Sequence, residues 1–138
     1  NRKKQTIYSK IQYRRDNTMK ELTIKGQVYQ FNFGMGFLKD IDKTVQIKSE
    51  NGKVEDAGLR YAIGGLIDGN PKSICTILYY GNKGQNPRLT EALIEEFIDD
   101  PDTDIDDLFE EVMGFLKSSN ATKCITEKTL KAVEDMMK

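Results

Sequence analysis

Lys20-Glu21-Leu22-Thr23-Ile24-Lys25-Gly26-Gln27-Val28-Tyr29-Gln30-Phe31-Asn32-Phe33 is the stretch that decides the fold. Two alternating runs flank Lys25-Gly26, and a two-residue connection ending in Gly suits a type I′ β-turn. Asn or Asp would serve better than Lys at the first turn position. Closing the turn sets Ile24 opposite Gln27, Leu22 opposite Tyr29 and Lys20 opposite Phe31. Side chains alternate across a strand, so Leu22, Ile24, Tyr29, Phe31 and Phe33 share one face. Thr23, Val28, Gln30 and Asn32 share the other. The first face is expected to be buried and the second wet. A lone hairpin is marginal in water, so other elements must cover the aromatic face.

The sequence that follows supplies that cover as helices. Gly34-Met35-Gly36 breaks the strand, and Phe37, Leu38 and Ile41 form a short apolar stripe. Residues 48–53 read as a turn. Val54 to Asp68 is predicted as a helix with Ala57, Gly58, Tyr61, Ala62 and Gly65 on its inward side. Those small residues permit close packing, although Gly64-Gly65 costs helical propensity. Asn70-Pro71 joins a capping residue to a proline at the first helical position, and Gly81 is the expected stop. Thr90 caps the next helix, with Leu89 and Ile94 placed as a hydrophobic staple, and Pro101 ends it. Asp104 caps a helix whose stripe is Ile105, Leu108, Phe109, Val112, Met113 and Leu116, at spacings of three and four. Thr126 is expected to cap the last helix, with Leu130, Val133, Met136 and Met137 as its stripe and Ile125 as its staple. The predicted fold class is α+β, mainly α: an N-terminal β-hairpin covered by about five helices. Residues 19–138 form a single domain. Residues 1–18 read as a basic N-terminal extension or arm, lying on the domain's own acidic surface or on another subunit.

Composition narrows the function. A chain of 138 residues can bury one core without metal or disulfide staples. There is no His, which removes the usual general acid/base near neutral pH and the commonest metal ligand. Cys75 and Cys124 lie far apart, in no metal or redox spacing, and read as buried free thiols rather than a bridge. No apolar run approaches the roughly 18–20 residues needed to cross a bilayer, so a soluble, intracellular protein is expected. The net charge of −1 hides an asymmetry. Residues 1–20 carry seven Lys/Arg and one Asp, whereas residues 91–111 carry eleven Asp/Glu and no base. Such segments attract each other or a neighbouring copy, which points to a homo-oligomer.

Catalytic groupings are missing. The sequence has no G-x-S-x-G, no P-loop, no H-x-x-x-H and no Cys/His pair. The chain is therefore read as a binding protein, not an enzyme, with no cofactor and no metal. Phe33-Gly34-Met35-Gly36-Phe37-Leu38 imitates a phosphate loop but lacks the third glycine and a parallel βαβ context; a strand-to-helix turn is the better reading. Asp100, Asp102, Asp104, Asp106 and Glu111 fall at positions 1, 3, 5, 7 and 12 of a calcium-loop-like run. Position 6, which needs Gly, is Ile105, and position 8, normally apolar, is Asp107. Asp104 also has a competing role as a helix cap, with Asp106 and Asp107 in the favourable first turn. A solvated acidic helix start is the preferred reading. Nucleic acid is not the expected partner, because the sequence pI is 5.6 and no recognition motif follows the basic arm.

The order of the motifs is familiar. Met19-Lys20-Glu21-Leu22-Thr23-Ile24-Lys25-Gly26, followed by Tyr29-Gln30-Phe31-Asn32-Phe33-Gly34-Met35-Gly36-Phe37-Leu38-Lys39-Asp40-Ile41-Asp42, resembles the opening of tail assembly chaperones of long-tailed phages of Gram-positive bacteria. Leu66-Ile67-Asp68-Gly69-Asn70-Pro71, then Ile77-Leu78-Tyr79-Tyr80-Gly81, fits the same pattern. So does Asp104-Ile105-Asp106-Asp107-Leu108-Phe109-Glu110-Glu111-Val112, running on to Ser119-Asn120-Ala121-Thr122-Lys123. The resemblance covers residues 19–123, and residues 1–18 depart from it.

The resemblance implies a protein that binds the tape measure protein, keeps that long helical chain soluble and helps recruit the major tail protein. It implies work in the host cell cytoplasm, absence from the finished virion, and the short form of a pair that can include a frameshifted longer one. Met and Tyr suit adaptable contact surfaces, so Tyr79, Tyr80, Met113, Met136 and Met137 are the candidate partner contacts. Two other readings stay open at this point: a structural neck or tail-completion protein of the virion, and an acidic nucleic-acid-related or anti-defence binding protein.

Overall fold

Strand β1 (Met19–Ile24) and strand β2 (Gln27–Asn32) pair antiparallel in the register that the turn dictates. Ile24 faces Gln27, Leu22 faces Tyr29 and Lys20 faces Phe31. Lys25 and Gly26 have φ of 54° and 79°, both positive as a type I′ turn requires. Leu22, Ile24, Tyr29, Phe31 and Phe33 are buried, while Thr23, Val28, Gln30 and Asn32 are exposed. The computed structural model describes residues 18–138, so the predicted basic arm lies outside the described residues except for Thr18.

Six helices follow among the described residues: α1 (Met35–Asp42), α2 (Gly58–Ile67), α3 (Pro71–Gly81), α4 (Glu91–Asp99), α5 (Ile105–Ser118) and α6 (Lys123–Met136). The fold is α+β and mainly α. Their apolar stripes close over the aromatic face of the hairpin in one cluster, with Phe31, Phe33, Ile41, Leu59, Ile63, Ile74, Ile77, Leu78, Leu89, Ile94 and Leu116 fully buried. Phe33 is the hub. Its ring lies 6.0 Å from Phe31, 4.9 Å edge-on from Phe37 and 5.7 Å from Phe115. Three caps form as the residue types predict. The side chains of Asn70, Thr90 and Asp104 accept from the backbone N–H groups of Lys72, Leu93 and Asp107.

Four expectations change. Val54–Asp56 is not helical; it forms β4, which pairs antiparallel with β3 (Gln46–Lys48) around the predicted turn. Every residue of this second hairpin is exposed, so no buried alternation marks it. Helix α2 therefore begins at Gly58, and its N-terminus is satisfied from outside: Asp42 accepts from Leu59 N–H at 3.0 Å. The buried side of α2 keeps the expected Gly58 and Ala62 and adds Leu59, Ile63 and Leu66, whereas Tyr61 points outward. Gly81 is not a left-handed stop but the last residue of α3. A Cβ there would sit 2.5 Å from the Phe33 ring, so Gly81 makes room for the hub. Thr126 does not cap α6, which starts four residues earlier. It is buried inside the helix, donating to the Thr122 carbonyl at 2.8 Å.

Two buried polar side chains tie the hairpin to the helices. Asn82 donates to the Gln30 carbonyl at 2.8 Å and accepts from Leu89 N–H and from the Arg88 guanidinium. Ser119 donates to the Phe33 carbonyl at 2.6 Å. Neither was marked by the sequence pattern, because each acts through backbone partners distant in the chain.

Candidate partner-binding surface

Helices α2, α3 and α4 enclose an open groove of about 530 Å³. Its aromatic surface comes from Tyr61 on α2 and from Tyr79 and Tyr80 on α3. The Tyr79 and Tyr80 rings meet edge to face, 5.5 Å apart. The Arg88 guanidinium lies over the Tyr79 ring at 4.3 Å and also donates to the Tyr79 carbonyl at 3.0 Å. Both tyrosines are half-buried, with Ile77 and Leu78 beside them taking the inward positions. Glu91 and Glu95 on α4 form an acidic wall, and Lys72 stands at the start of α3. Cys75 also lines the groove; burial pushes its thiol above the ordinary pKa, and the Glu95, Glu91 and Asp99 carboxylates add to that effect. A thiol held protonated in this way is a poor nucleophile.

The acidic run from Asp100 lines a second groove, against the β1 strand, of about 470 Å³. Its carboxylates have local roles. Asp100 accepts from Asp102 N–H at 2.9 Å and pairs with Lys25 at 3.5 Å. The Asp102 N–H holds the Asp100 carboxyl below the ordinary range against the opposing effect of desolvation, and Lys25 adds a lesser lowering. Asp104 is engaged as the α5 cap, and Asp106 stands exposed in the first turn. Desolvation, then the neighbouring Asp107, push Glu111 above the ordinary carboxylate range. Among the described residues, no group of three or more Cys, Asp or Glu is arranged to hold a metal ion. Both cysteines are free, but neither is fully buried as expected: Cys75 is half-buried and Cys124 exposed.

The family model of phage tail assembly chaperone proteins matches residues 21–131. The chain belongs to that family. The match runs from the first strand into α6 and so takes in both grooves. Comparison with curated proteins and with solved structures returns no match. Family membership places the work of this chaperone in phage tail assembly in the host, with a tail-related protein as the class of partner. No helix among the described residues is long and apolar enough to cross a membrane.

The candidate contacts of the chaperone fall in three places. Tyr79 and Tyr80 come together in the first groove. Met113 is half-buried on α5 and packs against the core. Met136 and Met137 project from the far end of α6, 84% and 82% exposed, beyond the matched residues. Sequence reasoning missed Tyr61 as a surface residue. The signal was present in Leu59, Ile63 and Leu66, whose spacing of four and three makes a stronger inward stripe than the small residues do. It also read Glu91 and Glu95 only as part of an acidic segment, since their position beside the tyrosines is a property of helix packing.

Proposed function

We propose that this chaperone binds the tape measure protein in the host cytoplasm, keeps it soluble before assembly and helps bring the major tail protein to it. The protein then leaves, and the finished virion lacks it. It acts by binding and not by catalysis. The family match over residues 21–131 carries this reading. Two surface features support it: an open tyrosine-lined groove, and bare methionines at the end of α6. A long helical client with apolar stripes needs such adaptable cover, and several copies of a small helical protein can supply it. The test is co-expression with the tape measure protein of the same phage. The client is expected in the soluble fraction, co-purifying with the chaperone, and in the pellet without it. A client equally insoluble in both cases, or the chain recovered from purified virions by mass spectrometry, would overturn the proposal.

A further inference from the structure

The groove between α2, α3 and α4 holds information about the charge of its occupant. Glu91 and Glu95 are four residues apart on α4, so they share a face, and that face lines the groove. Among the described residues the ion pairs are Lys25–Asp100, Arg60–Glu55 and Lys83–Asp40, which leaves Glu91, Glu95 and Lys72 without an ionic partner. Glu91, Glu95 and the adjacent Asp99, which also acts on Cys75, outnumber Lys72 and the Arg88 that lies over Tyr79, so the charge balance at the groove is negative. The Cys75 thiol, shifted first by burial, is raised further by the same carboxylates. The tyrosines indicate how a cation would sit there. Arg88 already stacks on the Tyr79 ring, at 4.3 Å, with its donors on neighbouring carbonyls. Aromatic faces beside carboxylates suit Lys and Arg, whose stems lie on the rings while their heads reach the acids.

We propose that this groove docks an amphipathic helix of a tail protein in which Lys or Arg residues flank the apolar stripe. The inference rests on the chaperone reading and adds the place of contact and the charge pattern of the bound segment. Tyr61, Tyr79 and Tyr80 receive the apolar stripe, and Glu91 and Glu95 select the flanking cations.

Two synthetic amphipathic helices with the same apolar stripe, one flanked by Lys and one by Glu, test this against the full chain. A fluorescent label on each peptide reports binding by anisotropy at low salt. The Lys-flanked helix is expected to bind about tenfold more tightly, and the double variant Glu91→Lys/Glu95→Lys to invert the order. Equal affinities, or a preference unchanged in the double variant, would overturn the proposal. If thermal melting shows that the reversal does not fold, Glu91→Gln/Glu95→Gln replaces it and is expected to abolish the preference; a preference that persists counts against the groove. Co-expression separates the two levels. If the wild-type chain fails to solubilise the tape measure protein, the chaperone reading fails. If wild type and double variant succeed equally, only the groove assignment fails.

Discussion

At the scale of single residues, the most constrained position is Gly81. A methyl group there meets the Phe33 ring at 2.5 Å, and that ring is held by three other aromatic rings. Overpacking of this kind costs about 1–3 kcal/mol, against a helix-propensity gain of about 1 kcal/mol for Gly→Ala. Gly81→Ala is therefore expected to lower stability in urea or thermal melts, the reverse of its effect on an exposed helix. Glu111 gives a prediction in pH. Its folded pKa is raised, so the folded state holds the proton more tightly than the unfolded state. The contribution is absent below the ordinary carboxylate pKa and becomes a penalty as pH rises through the raised value. Glu111→Gln should raise the melting temperature at pH 7 and have little effect near pH 3. An equal shift at both pH values would show that the effect is not ionisation. The sequence identified Gly81 as special for the wrong reason. A glycine after Leu78-Tyr79-Tyr80 is a fair stop signal, and nothing local reveals a ring lying against it from residue 33.

Elements were legible wherever local chemistry and burial agree. The first hairpin was readable to the register, because the Lys25-Gly26 turn and the alternating aromatic face specify the same pairing. The caps at Asn70, Thr90 and Asp104 were readable because each depends on its own neighbours. The second hairpin was not. Its strands have three residues each, and both faces are wet, so no period exists to detect. The start of α6 was misplaced because Thr122 and Thr126 carry the same capping signal, and both are buried in the packed molecule. Within the first turn, Lys25 occupies a left-handed conformation that costs a side-chain-bearing residue about 1–2 kcal/mol and that Asn tolerates better. Lys25→Asn is expected to raise the melting temperature, despite losing the exposed contact to Asp100, and a fall would show that this contact outweighs the turn. The end of α6 makes the opposite case. Met136→Ser/Met137→Ser removes two exposed side chains and should change stability by no more than about 0.5 kcal/mol. If these methionines touch the client, the same variant should reduce the soluble tape measure protein in co-expression.

Across the whole molecule, the candidate surface was only half legible. Tyr80 could be placed toward the surface from its apolar neighbour, which takes the inward helix position, and Tyr79 joins it in the groove. Tyr61, Glu91 and Glu95 were not legible, because three helices must pack before these residues share a groove. The same packing gives the molecule its long-range ties. Asn82, in the turn between α3 and α4, holds the Gln30 carbonyl of β2, and Ser119, between α5 and α6, holds the Phe33 carbonyl just beyond it. The hairpin therefore cannot separate from the helices without breaking both turns. In native-state hydrogen exchange, the paired amides of β1 and β2, together with Leu89 N–H, are expected to exchange through one cooperative opening near the free energy of global unfolding. The wet β3–β4 hairpin should exchange first, through local fraying. Separate opening energies for β2 and Leu89 would show that the two ties are independent. If they open as one, the chaperone presents its client with a frame that stays closed while the small outer hairpin comes and goes.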